Sequence, residues 1–192
     1  ALAEAALSRG AEVSIVAGTT SVDSPHGVRV ARALSAEEMH EGVMKELPRA
    51  TVFISAAAVA DYRPSQRAAT KIKKNVPSLV LTLEQTRDIL AEVASARTNG
   101  LLVIGFAAET NDVLINAREK LLAKNLDAIV ANDVSRGDVG FDSSENSITI
   151  LSRDGQDPLE LPRMSKLDAA HRVLDEIVRL RAKSKISADV RL

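Results

Sequence analysis

Between Tyr62 and Lys74 the chain carries five cations, Arg63, Arg67, Lys71, Lys73 and Lys74, and no acid. A single acid, Asp61, stands just before them, at the end of the apolar run VFISAAAVA (52–60). A segment of one charge sign that follows a strand of small residues suits an anionic, phosphorylated ligand, because small side chains let the ligand approach the backbone. The other reading is a solvated loop whose cations serve solubility, and charge spacing does not separate the two. In an extended KIKK (71–74), Lys71 and Lys73 project to one side. Ile72 projects to the other, where it is expected to pack and hold the arm down. Between Arg63 and Thr70, Pro64, Ser65, Gln66, Ala68 and Ala69 offer little to bury, so this stretch is expected to be a mobile lid.

A parallel α/β sheet would position such a segment, since ligands of open sheets bind outside the carboxyl ends of the strands. Three apolar runs read as strands covered on both faces: 52–60, LLVIGF (101–106) and 127–131. Helices are expected between them, one from Asp88 to Arg97 with Thr86 as a cap, another from about Asn111 to Lys124. Upstream, ALAEAALSR reads as a helix stopped by Gly10, followed by the strand EVSIVAG and the alternating, half-buried strand VRVARAL. Ser35-Ala36-Glu37-Glu38 has the form of a capping box opening a helix to about Leu47. Downstream, SITILSR and PLELP flank Asp154-Gly155 as a hairpin, Ser165 caps a last helix, and residues 183–192 read as a frayed tail.

The fold class that results is α/β, a Rossmann-like, doubly wound, mainly parallel sheet with a small β-hairpin appendage and a C-terminal helix. The 192 residues read as a single domain. Its opening helix implies an earlier strand and phosphate-binding turn, which are expected to lie upstream of Ala1.

Composition narrows the chemistry. A net charge of −1 gives no global attraction to nucleic acid. The absence of cysteine excludes a thiolate nucleophile, a disulfide and a zinc–thiolate centre. No apolar run approaches the ~18 residues of a membrane span, so a soluble, cytoplasmic protein is expected. His26 and His40 stand alone and read as surface or cap residues. Phe53 reads as core, whereas Phe106, at a strand end, suits core or site equally. Asn132 and Asp133 could simply cap the next turn.

Four segments, AAVADYRP (57–64), KIKK (71–74), GFAAET (105–110) and ANDVS (131–135), resemble in order and spacing the bacterial phosphopantothenoylcysteine synthetase family of coenzyme A biosynthesis. The resemblance implies a CTP-dependent ligase. In it the carboxylate of 4'-phosphopantothenate attacks the α-phosphate of CTP, and cysteine then displaces CMP from the acyl-cytidylate. By motif, Lys71 is the catalytic lysine. CTP contacts fall to Asp61, Lys71, Arg87, Asp88, Ile89, Leu90, Phe106, Lys120 and Lys124. Ala57, Ala58, Asn132 and Asp133 are substrate-binding candidates, and Asp61 is the candidate ligand for Mg2+ or Mn2+.

The resemblance also implies a homodimer and a fused flavin-dependent decarboxylase domain upstream, with FMN present only in that domain. The family's first strand, its Gly-Pro-Thr turn and an Asn-Ser-Ser-Gly-Lys segment have no counterpart in these residues. Lys120 lies ~14 Å along its helix from Asn111, at 1.5 Å per residue, which is far from a site at that helix's start. Two other readings stay open. A Rossmann oxidoreductase should place an acid after the strand EVSIVAG, where the chain has Ala17-Gly18-Thr19. A non-catalytic nucleotide-binding domain would share the basic segment but has no need of the four motifs together.

Overall fold

A computed structural model describes residues 1–66, 68–73, 78–98, 100–109, 112–133 and 145–189. The chain forms α1 (Leu2–Ser8), β1 (Ser14–Ala17), β2 (Arg29–Arg32), α2 (Ala36–Glu46), β3 (Val52–Ser55), β4 (Tyr62–Pro64) and β5 (Leu83–Gln85). It continues with α3 (Ile89–Ala96), β6 (Leu102–Glu109), α4 (Val113–Ala123), β7 (Ala128–Asp133), β8 (Glu145–Ser152), β9 (Leu159–Ser165) and α5 (Lys166–Asp189).

The central sheet runs β3-β6-β7-β8-β9. β3, β6 and β7 are mutually parallel, in the register Ile54↔Ile104 and Phe106↔Val130. The hairpin β8–β9 is hydrogen-bonded to them through the antiparallel pair β7–β8, and so widens the main sheet. Because alternate side chains leave a strand on opposite faces, β6 and β7 feed two cores. Val103, Ile129 and Ala131 meet Leu90, Val93, Ala117, Leu121 and Leu126 on the face covered by α2, α3 and α4. Ile104, Ala128 and Val130 meet Val173, Ile177 and Leu180 under α5. Helices on both faces make the sheet doubly wound, as the alternating helix and strand patterns predicted.

Gly105 sets how closely the helical layer sits. A β-carbon there would lie 2.8 Å from a Leu126 methyl and 3.1 Å from one of Leu90. Below this contact, Asp127 ties the start of β7 to β6. Its carboxylate accepts the Val103 amide at 2.7 Å and an Arg97 guanidinium N–H at 2.8 Å.

β1 and β2 form a separate, parallel two-stranded sheet. Among the described residues, β1 pairs only with β2, and β3 only with β6. Between β1 and β3 lies a cavity of about 830 Å3, lined by Ser14–Val16, Val52–Ser55, Met39 and Val43. This position explains two departures from the sequence reading. β3 is half-buried and ends at Ser55, with Ala56, Ala57 and Ala58 exposed, because its outer edge faces the cavity and not a neighbouring strand. β2 is exposed along its whole length instead of half-buried, since it sits at the outside of a two-stranded sheet.

The capping boxes form as read. The Ser35 hydroxyl accepts the Glu38 amide at 3.2 Å while Glu38 accepts the Leu34 amide, and the Ser165 hydroxyl accepts the Asp168 amide. The last helix continues to Asp189 where a frayed tail was expected, and residues 190–192 lie outside the described ones. Arg179 on that helix donates to Glu176 and Asp154, fixing it to the β8–β9 turn. No described helix is long and apolar enough to cross a membrane.

Replacing Gly105 with Val should force Leu90 and Leu126 outward. The expected cost is ~1–3 kcal/mol, the usual range for overpacking, read as a lower urea midpoint at unchanged m-value.

Candidate functional site

The turn before α3 is built by hydrogen bonds that reach back across the chain. Thr86, expected to cap α3, instead donates its hydroxyl to the Ala60 carbonyl and its amide to the Asp61 carbonyl at 2.9 Å. The cap is Asp88, whose carboxylate accepts the Ala91 amide at 3.0 Å. The ring from residue 61 to residue 86 is therefore closed at its root, and Arg87–Leu90 is held beside that root.

The same carboxylate reaches across to α4. Lys124 Nζ lies 2.7 Å from Asp88 Oδ2. Burial pushes the Asp88 carboxyl up, but the hydrogen bonds from Lys124 and the Ala91 amide and the charges of Lys124 and Lys120 outweigh it. The net effect is a carboxyl below the usual range. Lys120 and Lys124 are both half-buried on the stripe that carries the buried Ala117. The distance problem raised by the sequence disappears in this arrangement: the two lysines belong with the start of α3, which packs beside the end of α4, and not with the start of their own helix.

The segment that carries Lys71 begins as a ribbon. β4 and β5 pair antiparallel, with Arg63 opposite Glu84. Arg63 Nε donates to Glu84 at 2.8 Å, and one of its terminal N–H groups donates to Glu37 of α2 at 3.3 Å. Arg63 and Pro64 are thus paired strand residues, not the beginning of a free lid. Lys71 and Lys73 are exposed, and Ile72 is 56% exposed, so packing of Ile72 does not hold the segment down. Arg67 and Lys74 lie outside the described residues.

The other candidates divide between the two faces of the sheet. Phe106 packs with Ile54, Ile104 and Val130 in the layer under α5, opposite Leu90 and Lys124. Asn132 follows on that face of β7. Its side-chain oxygen is buried and finds no hydrogen-bond partner among the described residues. A buried acceptor left unpaired costs ~1–3 kcal/mol, so a donor there would be stabilising. The backbone of Asp133 ends β7, and its side chain is outside the description. Ala57 and Ile89 line one end of the β1–β3 cavity, while Ala58 is exposed beside it.

Asp61 stands exposed, and among the described residues no group of three His, Cys, Asp or Glu side chains gathers to hold a metal. A lone carboxylate fits Mg2+, which binds through one or two carboxylates plus the ligand's phosphates. His40, expected at the surface, is buried and bonds Glu92 of α3 at 2.7 Å. That pair and Glu37 were missed in the sequence: Glu37 looked like part of a cap, and nothing local marks a partner 52 residues away.

The mainly parallel sheet with helices on both faces defines a Rossmann-like α/β domain. Residues 1–180 match the family model described as the DNA/pantothenate metabolism flavoprotein C-terminal domain. The chain belongs to this family. It is 45% identical over 172 residues to the coenzyme A biosynthesis bifunctional protein CoaBC of Vibrio cholerae, covering 88% of this chain and 43% of that protein. The corresponding Bacillus subtilis protein is 44% identical over 181 residues, covering 94% and 44%. A crystal structure of the C-terminal domain of a CoaBC protein superposes with a TM-score of 0.76 at 34% identity, covering 98% of this chain and 81% of that one. The chain spans less than half the length of the curated relatives it matches.

Lys124→Met should raise the Asp88 carboxyl toward its ordinary value. Asp88 is held below its unfolded value, so its contribution is present above pH ~4 and is lost as pH falls through the folded value. In the variant that contribution should shrink and the Asp88 titration midpoint should move to higher pH, measured by carboxyl 13C titration of Asp88.

Proposed function

We propose that this domain joins 4'-phosphopantothenate to cysteine at the expense of CTP. The observation that carries the reading is the meeting of Lys120 and Lys124 with Asp88 at the start of α3, in a chain whose relatives are named for coenzyme A biosynthesis. The Asp88 carboxylate already occupies the positive end of α3, so this spot suits the base and ribose better than the triphosphate. The triphosphate then falls to the exposed cations of the 62–74 segment, with Asp61 holding Mg2+ or Mn2+ against the phosphates.

In the first step a carboxylate oxygen of 4'-phosphopantothenate bonds to the α-phosphorus and the bond to pyrophosphate breaks. In the second, the cysteine amine bonds to the acyl carbon, CMP leaves, and the amine loses a proton. Neither step needs an enzyme nucleophile, so positioning and charge neutralisation are the domain's contributions. Ala57, Ala58, Asn132 and Asp133 are assigned to the phosphopantothenate and its acyl adduct, with the unpaired Asn132 oxygen accepting from an amide N–H. Phe106, on the α5 face, is assigned to the acyl side of the nucleotide and not to the Lys124 cluster.

The cavity between β1 and β3 supports a further strand in that slot. A strand leading into α1 would pair with both edges, and its turn would emerge beside Ala57 and Ile89 with backbone N–H groups for the phosphates. In the whole protein the reading includes a homodimer, a flavin-dependent decarboxylase domain carrying FMN, and a cytoplasmic location. The oxidoreductase alternative finds no support at the end of β1, where Ala17 and Gly18 offer no acid for a ribose.

Charge on the α-phosphate and the leaving pyrophosphate redistributes as the acyl-cytidylate forms, so Lys71 should stabilise the transition state more than bound CTP. Lys71→Gln should keep the fold and slow pyrophosphate release ~100- to 1000-fold, the effect of losing ~2.7–4 kcal/mol of electrostatic stabilisation. Lys74→Gln should do much less. Attack of cysteine on preformed acyl-cytidylate should be less affected. Formation of the intermediate at the unmutated rate by Lys71→Gln would return the segment to a solvated loop.

A further inference from the structure

The Glu37 carboxylate divides its two oxygens between two different parts of the site. One accepts from Arg63 at 3.3 Å, at the root of the ribbon that leads to Lys71. The other lies 3.8 Å from Arg87 Nε, in the turn that leads to Asp88 and α3. No other described carboxylate is recorded pairing with both arginines.

The helix that presents Glu37 is itself fixed. Ser35 caps it. Gly42 packs so closely on β1 that a β-carbon there would lie 2.9 Å from a Val16 methyl. One turn beyond Glu37, the buried His40 bonds Glu92, which ties α2 to α3 a second time. Glu37 stands in the first turn of α2, where the helix dipole favours an acid. The root of the ribbon is meanwhile pinned to the end of the β3 loop by Thr86. The Arg63–Glu37 contact, made from a different element, then acts on the ribbon's tilt. The Arg63–Glu84 bond, internal to the ribbon, cannot.

We infer that Glu37 is a positioning residue, which orients the β4–β5 ribbon and the Arg87 turn together so that Lys71 is delivered to the ligand bound at Asp88 and Lys124. The inference rests on the ligase reading for its activity measurement, but not for its structural one. Both ion pairs are largely exposed and individually weak, so losing both should slow the reaction by roughly 2- to 30-fold at most.

The test uses the longest natural polypeptide that carries this chain. Glu37→Gln should lower the rate of CTP-dependent pyrophosphate release by roughly that factor, with Glu37→Asp recovering part of it. In a Lys71→Gln background the same substitution should have almost no further effect, because the group it positions is gone. Amide hydrogen exchange at Arg63, Ser65 and Glu84, measured without nucleotide, should speed up in Glu37→Gln while the global unfolding midpoint stays close to that of the parent. An equal loss in the Lys71→Gln background, an unmutated rate in Glu37→Gln, or unchanged ribbon exchange would overturn the positioning role. A parent protein that forms no acyl-cytidylate would overturn the ligase reading alone, and the exchange measurement would still decide the role of Glu37.

Discussion

The site depends on how near two helices come to one strand. Without a side chain at Gly105, Leu90 and Leu126 close over β6 at distances that a β-carbon would forbid. Leu90 is in the first turn of α3, and Leu126 follows the end of α4, so this single contact brings those two termini together. The pairing of Asp88 with Lys124 follows from that geometry. Packing density on the sheet thus sets electrostatics at its edge. The fully buried Leu126 and Ile129 leave no slack through which the two helix ends could separate.

The site is also divided by the sheet. Asp88, Lys120 and Lys124 lie with the α3–α4 layer, whereas Phe106 and the unpaired Asn132 oxygen belong to the α5 side. A ligand that touches all of them must pass over the carboxyl ends of β6 and β7. This suits an extended molecule better than a compact one. The ribbon that Glu37 contacts lies on the β3 side.

Much of this was legible in the residues. Unbroken apolar runs marked β6 and β7 as buried strands, and Ser-x-x-Glu and Ser-x-x-Asp spacing marked two helix starts that the hydrogen bonds realise. Lys120 and Lys124 could be placed on a packed face, but not beside Asp88, because a periodic pattern says which side of a helix is covered and not by what. The cap at α3 was misread for a related reason. Thr86 and Asp88 are both competent caps, and the choice was made by a long-range bond from Thr86 to Ala60. β3 was read as too long and too buried because alanine satisfies a core strand and an exposed loop equally well. His40 had no local signal at all, since its partner comes from another helix.

The cavity beside β1 has a consequence for how the molecule comes apart. Across it, among the described residues, no strand pairing joins β1–β2 to the five-stranded sheet. The contacts that do so include α1 against α5 through Arg9 and Asp175, α2 against α3 through His40 and Glu92, and Val43 of α2 in the core. Backbone hydrogen bonds make a sheet unfold as one body, and here they stop at the edge of β3. The β1–β2 pair therefore rests on packing and side-chain bonds, the kind of attachment that opens at a free energy below that of global unfolding. A strand bridging both edges would join the two sheets, and this end of the domain would then acquire the stability of its core.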